Sequence, residues 1–223
     1  MPDTSGARRT RGHKKKERTR RQLVEAGLRV LASKGQGLTV SDVVAEADVS
    51  NGTFYNYFAD REVLLEALAE HTALSLAAAA AREPIEDPAR RFAMATTRVL
   101  LHAREDETWA RVMLRLLGRP GSGIELARYL REDLADGAAS GRFDFAPEPG
   151  RSGADGVLPD DATLDQVTGL VAMTIRRMVE GHAAPDAPEQ AVQRGLRALG
   201  VDAREAAALA ADAAAAARRT HAD

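Results

Sequence analysis

Apolar residues recur at helical spacing through most of this chain, with short polar breaks between the runs. The pattern is tightest from Thr39 to Phe58. There Val40, Val43 and Val44 share one face, and Ala47 follows at the next turn. Thr39 can accept a hydrogen bond from a first-turn N–H, and Asp42 three residues on completes a capping-box pattern. Asp48-Val49-Ser50 then breaks the period, and Ser50 suits the N-cap of a second helix through Tyr57. Val49 and Phe54 can bridge the two helices and fix their crossing angle. Two short helices joined in this way predict a helix-turn-helix, whose second helix enters a DNA major groove.

Upstream, Leu23, Ala26, Gly27, Val30 and Leu31 form the buried stripe of a helix from about Lys16 to Ser33, ended by Gly35 and Gly37. Downstream, a helix from about Asp60 to Arg82 carries Leu64, Leu65, Leu68, Leu74 and Leu76 and acts as a connecting rod. Asp87 followed by Pro88 is a cap-then-first-turn start for a helix to Arg104. Asp106 opens the next, which stops at Gly118-Arg119-Pro120, and another runs from about Ser122 to Ala139. Residues 141–160 hold three prolines and four glycines and read as a loop, disordered or acting as a lid. Leu164, Val167, Leu170, Val171, Thr174, Ile175 and Met178 then keep a three-four spacing, and Ala191, Val192, Leu196 and Leu199 mark a helix from Ala187. The Ala-rich tail, capped by Asp202, is helical by propensity. With Leu209 as its one large apolar residue, it is expected to pack weakly or fray.

The exposed face after Ser50 offers Asn51, Gly52, Thr53, Tyr55, Asn56 and Tyr57, which are short polar groups and phenols with no acid. A helix laid against phosphates and base edges needs donors and no carboxylate. Gly52 costs roughly 1 kcal/mol against Ala inside a helix, which close approach of the backbone to DNA would explain. The run from Val49 to Phe58 (VSNGTFYNYF), followed by Arg61-Glu62-Val63-Leu64-Leu65, resembles the signature of the TetR family of transcriptional regulators, and residues 18–68 follow it. The resemblance implies a groove-facing role for Ser50, Asn51, Gly52, Thr53, Tyr55 and Asn56, and phosphate contacts from Thr39, Tyr57 and Arg61. Asn56 stands where the family often has His, and Arg61 where it often has Lys, so base preference at Asn56 stays open. It also implies a homodimer joined through the last two long helices, here by Leu170, Val171, Thr174, Met178, Val192 and Leu196.

Charge sharpens this picture. Residues 1–58 hold 11 Lys+Arg against 6 Asp+Glu, whereas the other 165 hold 20 against 27. A basic head on an acidic body suits one end that binds nucleic acid and one that avoids it. The basic run between Arg8 and Arg21 makes residues 1–15 a candidate arm on phosphates or a minor groove, disordered away from DNA. A solvated tail is the plainer alternative.

Composition excludes other chemistry. Aromatics are 4% and no long alternating run occurs, so the fold is expected to be all-α. There are no cysteines, hence no disulfides or thiol chemistry. His13, His71, His102, His182 and His221 are scattered without metal-ligand spacing, so neither a metal nor a cofactor is expected. No phosphate loop or nucleophile motif occurs, and Gly121-Ser122-Gly123 is a helix-entry turn, so no enzyme is expected. Without a membrane-length apolar run or signal-peptide core, the protein is expected to be soluble and cytoplasmic, with no membrane partner.

The expected architecture is an all-α chain with a disordered basic arm (1–15) and a three-helix helix-turn-helix DNA-binding head (16–58). A connecting helix leads into a helical-bundle ligand-binding and dimerisation body (59–200), and an Ala-rich helix or tail follows (201–223). Phe92, His102, Trp109, Met113 and Tyr129 are candidate effector-lining residues, since Trp and Tyr bring a polar tip to an apolar wall. Each also suits plain core. The expected function is a homodimeric, sequence-specific repressor released from a palindromic operator by a small-molecule effector. The alternative is a dimeric DNA-binding structural or adaptor protein without an effector pocket.

Overall fold

The computed structural model describes residues 5–80, 85–117, 126–144 and 161–220, and all regular structure among them is helical. Most of the loop expected at 141–160 lies outside the described residues. The chain divides into two compact units, Met1–Thr72 with Arg111–Ser122, and Ala73–Ala110 with Gly123–Asp223.

In the first unit, α1 (Ser5–Lys34), α2 (Val40–Glu46), α3 (Asn51–Tyr55) and the first part of α4 (Arg61–Ala80) supply the core. Leu23, Leu31, Leu38, Val43, Phe54, Phe58, Leu64 and Leu68 are buried in it. α1 begins at Ser5 and not at Lys16, so the basic run expected as a disordered arm is helical from Ser5 onward. Arg and Lys are good helix formers, and the helix downstream provides the nucleus from which the run propagates. Gly27 permits close approach of α4: a Cβ there would stand 3.1 Å from a Leu68 methyl. Gly35 adopts φ +61° where the chain leaves α1, and the Leu38 N–H donates to its carbonyl at 3.1 Å. α3 ends at Tyr55, two residues short of expectation. There the Asn56 and Tyr57 N–H groups donate three residues back, to Thr53 and Phe54, in a tightened last turn.

In the second unit, α5 (Pro88–Glu105) is followed by α6 (Glu107–Leu117), which gives only its first residues to this unit. α5 is the central element: α7 (Leu126–Ala139), α8 (Asp161–Val179), α9 (Ala187–Ala198) and α10 (Ala203–Thr220) all pack on it. Asp87 caps α5 as predicted, accepting from the Ala89 N–H at 3.1 Å with Pro88 in the first turn. Two arginines tie the helices together. Arg91 donates to Asp133 at 2.7 Å and Asp136 at 3.1 Å on α7, and Arg142 donates to Asp87 at 2.7 Å and Glu205 at 2.5 Å. The Arg142 guanidinium holds the Asp87 carboxyl below the usual carboxylate range.

The tail does not pack weakly. Ala206, Ala210, Ala213 and Ala217 of α10 are buried at a four-three-four spacing, and the helix packs on both α5 and α9. Small side chains let the helix axes approach, so a stripe of alanines buries itself without large apolar groups. Val192 and Leu196 also require correction. Both are fully buried inside their own unit, so they have no surface left for a partner chain.

Candidate nucleic-acid interface and effector residues

The helix-turn-helix is built by its caps. Thr39 Oγ1 accepts from the Asp42 N–H at 3.2 Å, while Asp42 Oδ2 accepts from the Thr39 N–H at 3.1 Å and from the Thr39 hydroxyl at 2.8 Å. Lys34 Nζ donates to the other carboxylate oxygen at 2.5 Å. Lys34 first, then Thr39, hold the Asp42 carboxyl below the usual range. The acid that caps α2 is thereby neutralised beside the surface where an uncompensated carboxylate would repel phosphate. A phosphate contact from Thr39 requires its hydroxyl proton to leave Asp42.

Between α2 and α3, Asp48 takes φ 51°, a left-handed conformation that Asp tolerates better than most residues. The Val49 N–H donates to the Val44 carbonyl at 3.0 Å, and Ser50 Oγ accepts from the Thr53 N–H at 3.1 Å, starting α3. Phe54 alone on α3 is buried, with the Phe58 ring 5.6 Å away and the Tyr55 ring edge-on at 5.3 Å. Tyr55 is 58% exposed; Ser50, Asn51, Gly52 and Asn56 are exposed too, and Thr53 and Tyr57 are half-buried. A Cβ on Gly52 would meet nothing nearer than Ser50 Oγ at 3.9 Å, so packing within the head does not demand glycine there.

Arg61, expected at a phosphate, is engaged: its Nε donates to the Leu38 carbonyl at 2.9 Å and Nη1 pairs with Glu62. Two cations stand at the site beyond the residues the sequence pattern singles out: Lys34, through its pair with Asp42, and Arg20, which lies over the Phe58 ring at 5.6 Å. The basic run on α1 was a signal for Arg20; nothing local marked Lys34 as the partner of Asp42.

Among the effector candidates, the structure brings His102 and Trp109 together, with ring centroids 4.6 Å apart at 61°. Trp109 is 8% exposed, and its indole Nε1 has no hydrogen-bond partner. Thr97, which no sequence motif marks, is buried with its hydroxyl in the same condition. Phe92 is core: a Cβ on Gly195 of α9 would lie 2.9 Å from its ring. Met113 is fully buried in the first unit, and the Tyr129 side chain lies outside the described residues. On α8, Leu170, Val171 and Met178 are half-exposed and Met173 is 53% exposed, whereas Thr174 is buried and donates to the Leu170 carbonyl at 2.8 Å. Among the described residues no acidic or histidine cluster suits a metal ion, and no helix is long and apolar enough to cross a membrane.

Two family models match the sequence. One, bacterial regulatory proteins of the tetR family, covers residues 23–68, and the other, the tetracyclin repressor-like C-terminal domain, covers residues 87–212. No curated protein matches. Among solved structures, the chain resembles RolR in complex with its ligand resorcinol, at 26% identity and a TM-score of 0.59, over 89% of this chain and 95% of that one. It also resembles a TetR family transcription regulator from Marinobacter aquaeolei VT8, at 18% identity and a TM-score of 0.67, over 84% and 98%. A putative TetR-family regulator from Rhodococcus sp. is 22% identical with a TM-score of 0.60, over 82% and 97%. The last two likenesses speak to the fold alone.

Proposed function

The chain belongs to the TetR family of bacterial regulatory proteins, a family of DNA-binding transcriptional regulators, and from that membership we propose that it is a repressor released by a small-molecule effector. A homodimer sets two copies of α3 in successive major grooves of a palindromic operator, about 34–36 Å apart. The half-exposed apolar residues Leu170, Val171 and Met178, with the exposed Met173, supply the partner-facing surface of α8.

Gly52 is the observation that carries the groove assignment. The head leaves open space where its side chain would be, so the missing side chain serves a surface outside the protein. The acid-free, exposed face around it suits phosphates and base edges. Support for an effector comes from RolR, which covers most of this chain's length and binds a small aromatic ligand. α4 and α6 each lend residues to both units and are the routes by which an occupied body can bias the head. The energy available is the ligand's differential affinity for the two states.

A gel shift of the purified protein against DNA flanking its own gene, at low and high salt, tests this reading. A discrete shift on one palindromic fragment, weakening steeply with salt, is expected. Smeared, salt-labile binding to every fragment would instead favour a structural DNA-binding protein.

A further inference from the structure

Two exposed ion pairs join α1 to α2, and they differ in their distance from the Thr39 cap. Arg29 Nε donates to Glu46 at 2.6 Å, at the last residue of α2 and about 10 Å along the axis from Thr39. Lys34 Nζ donates to Asp42 Oδ1 at 2.5 Å, in the first turn and beside the cap. The Thr39 hydroxyl has one proton, and it lies on Asp42 Oδ2 at 2.8 Å. A hydroxyl on a carboxylate makes a strong, charge-assisted bond, so Asp42 competes for the donor that a phosphate would use. A surface pair such as Lys34–Asp42, with the lysine 54% exposed, contributes little to stability. Its larger consequence is for that competition.

We propose that Lys34 is a positioning residue for DNA binding that acts through Asp42. Its ammonium holds the carboxylate while the Thr39 hydroxyl turns away to a phosphate oxygen. The inference rests on the DNA-binding reading above and adds a residue that serves DNA only through another side chain. When the hydroxyl turns, Asp42 keeps the Thr39 N–H on Oδ2 and Lys34 on Oδ1, so the α2 cap stays closed. Without Lys34, the carboxylate would hold the hydroxyl more tightly and would stand uncompensated where phosphates approach. Arg29 covers Glu46 by the same chemistry, but far from the hydroxyl.

A double-mutant cycle on operator DNA, read by fluorescence anisotropy, tests this. Lys34→Met should weaken binding about tenfold in the parent and less than about twofold in an Asp42→Asn background. Asparagine keeps an oxygen for the Thr39 N–H and removes the charge that needs cover. The melting temperature of Lys34→Met should stay close to the parent's. Arg29→Met, the control, should weaken binding by less than about threefold. An equal loss from Lys34→Met in both backgrounds would mean a direct phosphate contact and overturns the proposal. A loss in Arg29→Met as large as in Lys34→Met would mean a general charge effect and overturns it too. Parental affinity in Lys34→Met, or a loss that tracks a lower melting temperature, does the same. The cycle is repeated on a duplex of unrelated sequence, because phosphate contacts carry no sequence information. Coupling there without any discrete operator would overturn the repressor reading and uphold the role of Lys34. No binding to any duplex would overturn both.

Discussion

Arg61, at the first turn of α4, donates from Nε to the Leu38 carbonyl at 2.9 Å, immediately before the Thr39 cap of α2. One side chain thus holds the entry to the helix-turn-helix against the helix that leads out of it. Arg61→Ala should cost about 1–2 kcal/mol of stability and also weaken operator binding. Arg61→Lys keeps the charge but cannot reproduce the planar fork, so it should recover DNA affinity more fully than stability. Urea denaturation and a fluorescence-anisotropy titration of both variants check this, and equal recovery of both quantities would count against the dual role.

Gly52→Ala should move two properties in opposite directions. Open space around the position and the helix propensity of alanine predict a free protein more stable by up to about 1 kcal/mol. Close approach of the backbone to DNA predicts operator affinity lower by about tenfold or more. Denaturation and gel-shift measurements on the same preparation check both signs.

The caps were legible in the sequence because their chemistry is local. Thr39 with Asp42, Ser50, Asp87, Asp106 and Asp202 all accept backbone N–H bonds where a short oxygen side chain precedes a helical period. What the sequence concealed depends on which helices meet. Val192 and Leu196 have the spacing of an interface stripe, and only the packing of α5, α8 and α10 around α9 reveals that they are enclosed. The α10 alanines carry little apolar signal, because their contribution comes from close approach to α5 and α9. Within the candidate site, the exposed polar face of α3 was readable from residue types, whereas the Lys34–Asp42 pair and the His102–Trp109 contact join residues that no local pattern links.

The α10 stripe predicts an asymmetry between neighbouring alanines. Ala210→Leu, at a buried position, should destabilise the protein by about 1–3 kcal/mol through overpacking. Ala208→Leu, on the exposed side, should stay within about 0.5 kcal/mol of the parent. Thermal melts of the pair decide it; similar melting temperatures would mean that α10 contributes little.

Arg142 and Asp87 predict a pH dependence. The folded-state pKa of Asp87 is depressed, chiefly by its hydrogen bond from Arg142. Its stabilising contribution is therefore present above the unfolded carboxylate range, near pH ~4, and is lost as pH falls through the depressed folded value. Arg142→Gln should be less stable than the parent at pH 7, and the gap should narrow as pH falls below ~4. Denaturant titrations across that range test the sign. A gap constant down to acid pH would show that the pair does not titrate with folding.

The most direct test of the account is a footprint of the Tyr55→Ala variant on the operator fragment. Tyr55 is 58% exposed and meets the buried Phe54 ring only edge-on, so its loss should leave a folded protein with stability within about 1.5 kcal/mol of the parent. The account predicts that the variant gives no protected palindrome where the parent gives one. A normal footprint from a folded Tyr55→Ala variant would contradict the placement of α3 in the groove.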